Sequence, residues 1–257
     1  MHTEHNTEHD SSQGGYSLAG KVYLITGASD GIGKSTAIEC AKAGATVIIH
    51  GKSQPKLEAL YDHIVEQGYT EPVIYPLDFA KLTPEDCLAV NEVIDREFGR
   101  LDGLFNNAGW LGAASPIQQF DIELWHTVIQ INLNATFMLT QACLPLLNKA
   151  DKSQIVFTLD NKRTAYWGAY GVAKAGLDAF MQILADELES SSITVTGVAP
   201  EKVNTAFRTR AFPGENPDQR SEVDEVVNAV MALLTGSLSD IDGTPVHGNH
   251  FPLSAFQ

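Results

Sequence analysis

The sequence predicts an α/β fold: a Rossmann-like, doubly wound parallel sheet of about seven strands with helices on both faces. Three observations carry that expectation. Short apolar runs alternate with longer amphipathic stretches from Lys21 onward. The runs lack polar alternation, so they read as strands buried on both faces. A glycine-rich turn follows the first run at once and opens a helix, the arrangement that places ligands beyond the carboxyl ends of such strands. At 257 residues, 44% hydrophobic and 19% charged, the chain can bury one large core.

The elements follow in order. Strands are expected at KVYLIT (21–26), TVIIH (46–50), PVIYPL (72–77), GLFN (103–106), QIVFT (154–158) and ITVTGVA (193–199). Helical patterns lie between them at about 32–43, 55–67, 84–97, 121–147, 169–189 and 222–235. Thr83-Pro84-Glu85-Asp86 is a strong helix start, with a Thr cap, Pro at the first position and acids in the first turn. Strand–helix alternation throughout implies right-handed crossovers between parallel strands. Residues 18–257 are read as a single dinucleotide-binding catalytic domain. Residues 1–17 are read as a flexible acidic tail. Its His2, His5 and His9 are potential metal ligands, but a lone metal loop needs a preformed scaffold, and no metal site is expected.

Composition narrows the function. Seventeen Lys+Arg against 32 Asp+Glu give a net charge of −15, which repels nucleic acid. No apolar run approaches the roughly 18 residues needed to span a bilayer, and the polar start resembles no secretory signal. Cys40, Cys87 and Cys143 are widely spaced and odd in number. They suit reduced thiols in a cytoplasmic protein.

The chemistry starts at Thr26-Gly27-Ala28-Ser29-Asp30-Gly31-Ile32-Gly33. Gly27 can make the tight turn, Gly31 lets backbone approach a ligand, and Gly33 permits close helix–strand contact. The helix that begins here offers free N–H groups and a positive dipole to a pyrophosphate. After the second strand comes His50-Gly51-Lys52-Ser53, with no acid to accept from a ribose 2′-hydroxyl. Lys52 instead suits a 2′-phosphate, so NADP(H) is favoured over NAD(H). Further on, Tyr170 and Lys174 are four apart on one helix face. A tyrosine that trades protons near neutrality needs a neighbouring cation, which Lys174 can supply.

Together these motifs resemble the short-chain dehydrogenase/reductase family over about residues 18–250. TGASDGIG resembles the family's TGxxxGIG loop, which implies cofactor contacts from Gly27, Ser29, Asp30, Gly31, Ile32 and Gly33. Asp78 matches the acid that usually holds the adenine amine. Asn106-Asn107-Ala108-Gly109 matches the NNAG segment bordering the adenine ribose, implying contacts from Asn107, Ala108 and Gly109. Asn132 matches the helix asparagine that anchors a water linked to the lysine. Tyr170 and Lys174 match YxxxK: the tyrosine acts as general acid or base, and the lysine also binds the nicotinamide ribose. Pro200 to Thr205 resembles PGxxxT, whose threonine touches the carboxamide. The resemblance also implies a small-molecule carbonyl or alcohol substrate and a homodimer or homotetramer paired through the helices at 121–147 and 169–189.

Two departures stand out. The family's serine, about 13 residues before the tyrosine, is replaced by Phe157. Alignment on the strand end puts Asp160 in its place, with Thr158 and Asn161 as other donors. An ionised carboxylate only accepts hydrogen bonds and repels a developing oxyanion, whereas a protonated one can donate. Glu201 stands where the family has glycine, either crowding the nicotinamide or pointing to water. Arg208, Arg210 and Arg220 lie in a variable loop and either grip an acidic substrate or form a solvated lid. Trp110, Leu111 and Trp167 either line an apolar pocket or pack in the core. The expected function is NADP(H)-linked hydride transfer. The rival reading is a nucleotide-binding regulatory or scaffold protein with impaired catalysis. An isomerase or dehydratase on the same scaffold is a third.

Overall fold

The computed structural model describes residues 16–256. The histidines of the expected tail fall outside the described residues. Strand β1 (Val22–Ile25) leads to helix α1 (Gly31–Lys42), and β2 (Thr46–Gly51) to α2 (Gln54–Glu66). The alternation continues through β3 (Val73–Pro76), α3 (Pro84–Phe98) and β4 (Gly103–Asn106). Helices α4 (Ile122–Ile129) and α5 (Ala135–Leu147) precede β5 (Ser153–Thr158), α6 (Gly168–Leu188) and β6 (Ile193–Ala199). Short α7 (Ala206–Ala211) and α8 (Val223–Leu234) follow. A two-strand hairpin, β7 (Asp240–Ile241) and β8 (Thr244–Pro245), precedes β9 (His250–Pro252).

Seven strands form one sheet in the order β3-β2-β1-β4-β5-β6-β9, every pair parallel. The six expected runs supply its first six strands. The seventh, β9, is three residues beside β6 and lay outside those runs. Because β1 adjoins both β2 and β4, the winding reverses at β1, and a crevice opens beyond the carboxyl ends there. Tyr23, Ile25, Val47 and Ile49 pack toward α1 and α8. Val22, Leu24 and Ile48 pack toward α3 and α5 on the other face. Burial on both sides explains why these strands read as unbroken apolar runs.

Helix α3 begins as expected. Thr83 Oγ1 accepts from Asp86 N, and the Asp86 carboxylate accepts from Thr83 N, a reciprocal cap. The single helix expected over 121–147 is corrected: it is divided by a π turn at Gln130–Asn134. Asn132 causes the break, because its side chain donates to Val128 O at 2.8 Å. That carbonyl is the acceptor an α-helix would give to the Asn132 backbone. Cys40, Cys87 and Cys143 are buried free thiols, and among the described residues no helix is long and apolar enough to cross a membrane.

Candidate functional site

The crevice beyond β1 and β4 has a volume of about 410 Å³. Its floor is the turn between β1 and α1. Gly27 has φ +67, and a Cβ there would lie 2.9 Å from Ala108 Cα. A Cβ on Gly33 would lie 2.5 Å from Gly27 O and 2.6 Å from Asn107 Nδ2. Only glycine lets this turn settle onto Asn107 and Ala108 and leave α1's N-terminus open to the crevice. Thr26 fixes the floor from below, its Oγ1 accepting from Asn107 N and Ala108 N. Asp30 caps α1, accepting from Gly31 N at 2.9 Å and pairing with Lys56 at 2.8 Å. The Lys56 contact, through both charge and hydrogen bond, holds its carboxyl below the usual range. Thr205, the cap of α7, brings its methyl over Gly31.

Toward β2 the walls are His50, Lys52, Lys56, Asp78 and Phe79. Lys52 is exposed, and Asp78 is half-buried with its carboxylate accepting from Ala80 N. His50 is 4% exposed, and neither ring nitrogen makes a well-formed hydrogen bond within the protein beyond a weak contact with the Leu77 backbone. Burial pushes its imidazole down to about 4. An under-satisfied buried ring, glycines that exclude any Cβ, and two lysines fit an anionic nucleotide. Lys56 and the under-satisfied His50 were not singled out beforehand. Lys56 lies in the first turn of α2, and Lys52 just precedes that helix; this recurrence of lysine after β2 was the available signal.

The chemical end of the crevice is built by β5 and α6. Tyr170 and Lys174 are buried, 4% and 3% exposed, on one face of α6. Tyr170 donates its hydroxyl to Asp160 Oδ2 at 3.1 Å, and Lys174 donates to Thr158 O at 2.6 Å. Burial first, then the Asp160 charge and hydrogen bond, push the Tyr170 phenol well above its usual value. With the Asp160 carboxylate as its partner, the phenol is held as a neutral donor. Lys174 instead sits over the Tyr170 ring, 6.0 Å from its centre. Burial pulls the Lys174 amine down to about 8 against the Asp160 charge, which raises it.

Of the alternatives at the serine position, Asp160 faces the tyrosine hydroxyl. Thr158 lines the crevice, but its Oγ1 is engaged 3.3 Å from Asn107 Oδ1. Asn161 is exposed and lies outside the lining. Phe157 is fully buried core. Asn132 stands behind the wall: its carboxamide donates to Trp110 O and Val128 O and accepts from Trp110 N. Gly109 packs between Asn132 Oδ1 and Lys174 Nζ. Every other expected site residue lines the crevice except Gly33, which acts by packing under the turn.

The far wall is aromatic. Trp110, Trp167, Tyr170, Phe207 and Phe212 line it, whereas Leu111 is buried beside Val128 and Ala169. For Arg208 and Arg220 the structure supports neither the substrate grip nor the solvated lid. Both are buried and bonded to Glu215, at 2.6 and 3.2 Å. Hydrogen bonding from Arg208, backed by Arg208, Arg220 and Lys202 charges, holds the Glu215 carboxyl down at about 2. Arg210 remains exposed at the rim. Glu201 is also exposed at the rim, its backbone at φ +58 in the region that favours glycine. It therefore keeps the backbone conformation of a glycine while its side chain remains open to solvent.

A family model described as short chain dehydrogenase matches residues 21–216. The uncharacterized oxidoreductase YciK of Escherichia coli K12 is 41% identical over 220 residues, covering 84% of this chain and 87% of that one. The 3-oxoacyl-[acyl-carrier-protein] reductase FabG of Escherichia coli K12 is 32% identical over 248 residues, covering 90% and 96%. Among solved structures, a short chain dehydrogenase from Escherichia coli CFT073 complexed with NADPH superposes with a TM-score of 0.85. It is 38% identical over 92% of this chain and 97% of that chain.

Proposed function

The chain belongs to the short chain dehydrogenase family, and from that premise we propose an NADP(H)-dependent oxidoreductase acting on a small carbonyl or secondary alcohol. One observation carries the reading. The buried Tyr170–Lys174 pair opens into the same crevice that the Gly27–Gly33 turn floors. The bound nicotinamide supplies or takes the hydride. Gly27, Ser29, Gly31 and Ile32 hold the pyrophosphate side at the start of α1. Asp78 with Asn107, Ala108 and Gly109 borders the adenosine. Lys52 and Lys56 take a 2′-phosphate, which supports NADP(H), as does the NADPH in the related structure. Thr205 contacts the carboxamide. Lys174 holds the nicotinamide ribose, Tyr170 moves the substrate proton, and Asn132 fixes the loop that carries Trp110. A cytoplasmic homodimer or homotetramer through α5 and α6 agrees with exposed Phe137, Val172 and Ile183 on those helices.

The test is Tyr170→Phe. NADPH-linked turnover on a carbonyl panel should fall by about 10²–10⁴-fold, with NADPH binding nearly intact. Unchanged turnover removes Tyr170 from the chemistry. A second reading rests on Asp160 in the serine's place: tight nucleotide binding with turnover appearing only in Asp160→Ser marks a nucleotide-binding regulatory protein.

A further inference from the structure

A carboxylate beside the proton-donating phenol opposes the negative charge that grows on a substrate oxygen during reduction. The surroundings of Asp160 show how that charge is balanced. Its two oxygens are used differently: Oδ2 accepts from the Tyr170 hydroxyl at 3.1 Å, while Oδ1 faces the Lys162 ammonium at 3.5 Å. The same ammonium lies over the Trp167 ring, 5.6 Å from its centre. Trp167 in turn packs on Tyr170 and Phe212, with ring centres 5.8 and 5.5 Å apart. Ring faces and a carboxylate together are the surroundings that recognise an ammonium group. One of the chain's own amines already occupies them.

We propose that the substrate carries a protonated amine on the carbon next to its carbonyl or alcohol, or one carbon further, and that this ammonium displaces Lys162 from Asp160 and Trp167. The proposal rests on the hydride-transfer reading and names the substrate class within it. The short reach follows from the carboxylate itself. Oδ1 would hold the nitrogen while the reacting oxygen meets the Tyr170 hydroxyl beside Oδ2, so the two groups belong on neighbouring atoms. Lys162 can leave: it stands in the irregular segment between β5 and α6, its side chain one-quarter exposed. The buried cations that line the crevice are already engaged, Arg208 with Glu215 and Lys174 with Thr158 O. In reduction the hydride forms the new C–H bond and the carbonyl π pair moves to oxygen, which takes the Tyr170 proton. The substrate ammonium only neutralises Asp160 and undergoes no bond change.

The test is a binding measurement on the NADP⁺-loaded full chain. Calorimetry at pH 7.5 would compare 2-aminocyclohexanol with cyclohexane-1,2-diol, two molecules of equal shape that differ in the cation. The amine should bind at least tenfold tighter. Asp160→Asn should erase that preference, and Lys162→Gln, which removes the internal competitor, should tighten amine binding several-fold. Equal binding of amine and diol overturns the proposal. So does a preference that survives Asp160→Asn, or weaker amine binding in Lys162→Gln. Lys162→Gln changes a partly exposed side chain of an irregular segment and keeps the test open should Asp160→Asn fold poorly. A protein that takes up no NADP⁺ in the loading step fails the underlying hydride reading instead.

Discussion

Replacing Lys52 by Asp should reverse the coenzyme preference. Lys52 follows the end of β2 and is exposed, so its ammonium acts in high dielectric. Lys56, one turn on, is 57% exposed and paired with an equally exposed Asp30. A pair so open to water contributes well under about 1 kcal/mol, so Lys56 can leave Asp30 for a better anion. A charge-assisted hydrogen bond from Lys52 to a 2′-phosphate is worth about 1.5–3 kcal/mol. An aspartate removes that bond and adds about 1 kcal/mol of repulsion in water-like surroundings. NADPH affinity should therefore fall about 50- to 1000-fold. NADH affinity should hold or rise, because the new carboxylate can accept from a 2′-hydroxyl. Fluorescence titration of both coenzymes into both proteins, at 0.02 and 0.2 M salt, reads this directly. The parent's preference should shrink at the higher salt. Unchanged NADPH affinity in Lys52→Asp, or equal parental affinity for both coenzymes, would refute the assignment of this end of the crevice.

Three further outcomes follow from the geometry. Gly33→Ala places a methyl 2.5 Å from Gly27 O, so backbone must move. Overpacking of about 1–3 kcal/mol and loss of coenzyme binding are expected, and a variant that melts and binds like the parent contradicts the cradle. Asp102, 2% exposed, accepts from Val22 N, Lys21 and Arg100. Asp102→Ala orphans a buried N–H at a cost of about 1–3 kcal/mol, or about 2–4 °C in Tm for each kcal/mol; an unshifted thermal midpoint counts against it. Glu215 has a depressed carboxyl, so its hold on Arg208 and Arg220 is complete above the ordinary glutamate range near 4.5 and is lost as pH falls toward about 2. Hydrogen exchange across 206–220, corrected for intrinsic rates, should rise in that window in the parent. In Glu215→Gln it should be high at every pH, and a pH-independent parent would exclude Glu215 as the clasp.

How far the sequence is legible depends on the range of the forces involved. Strands β1 to β6 could be read because burial on both faces leaves a local, unbroken apolar signature. Strand β9 could not, since its His-Phe-Pro run is short and is held by β6, about fifty residues earlier. The π turn was hidden because one side chain, Asn132, makes it, and its second partner Trp110 is 22 residues away. The arginines of the loop over the crevice illustrate the same limit. Arg208, Arg210 and Arg220 look alike in sequence, and only folding shows that Glu215 takes two of them. Asp160 was legible as a position, by alignment on the end of β5. Its pairing with Lys162 across an irregular segment was not.

The crevice is divided by the kind of backbone that builds it. On the coenzyme side, Gly27 and Gly31 take positive φ without strain, and a side chain at Gly27 would collide with Ala108. That half tolerates little change, because the close backbone packing there leaves no room for side chains and, on the proposed function, its ligand would be met by backbone N–H groups. On the substrate side, two non-glycine residues hold positive φ: Glu201 at +58 and Tyr166 at +73. Such conformations cost on the order of 1–3 kcal/mol and persist only where the surrounding structure enforces them. Asp160 and Lys162 lie on the same irregular segment between β5 and α6 as Tyr166, and Glu201 follows β6 in the crevice lining. The departures from the family pattern therefore share the strained half, where side chains rather than backbone meet the ligand. A change of substrate can be accommodated there without disturbing the floor that holds the nucleotide, which is why the atypical carboxylate beside Tyr170 is better read as a selector of substrate charge than as the loss of an activity.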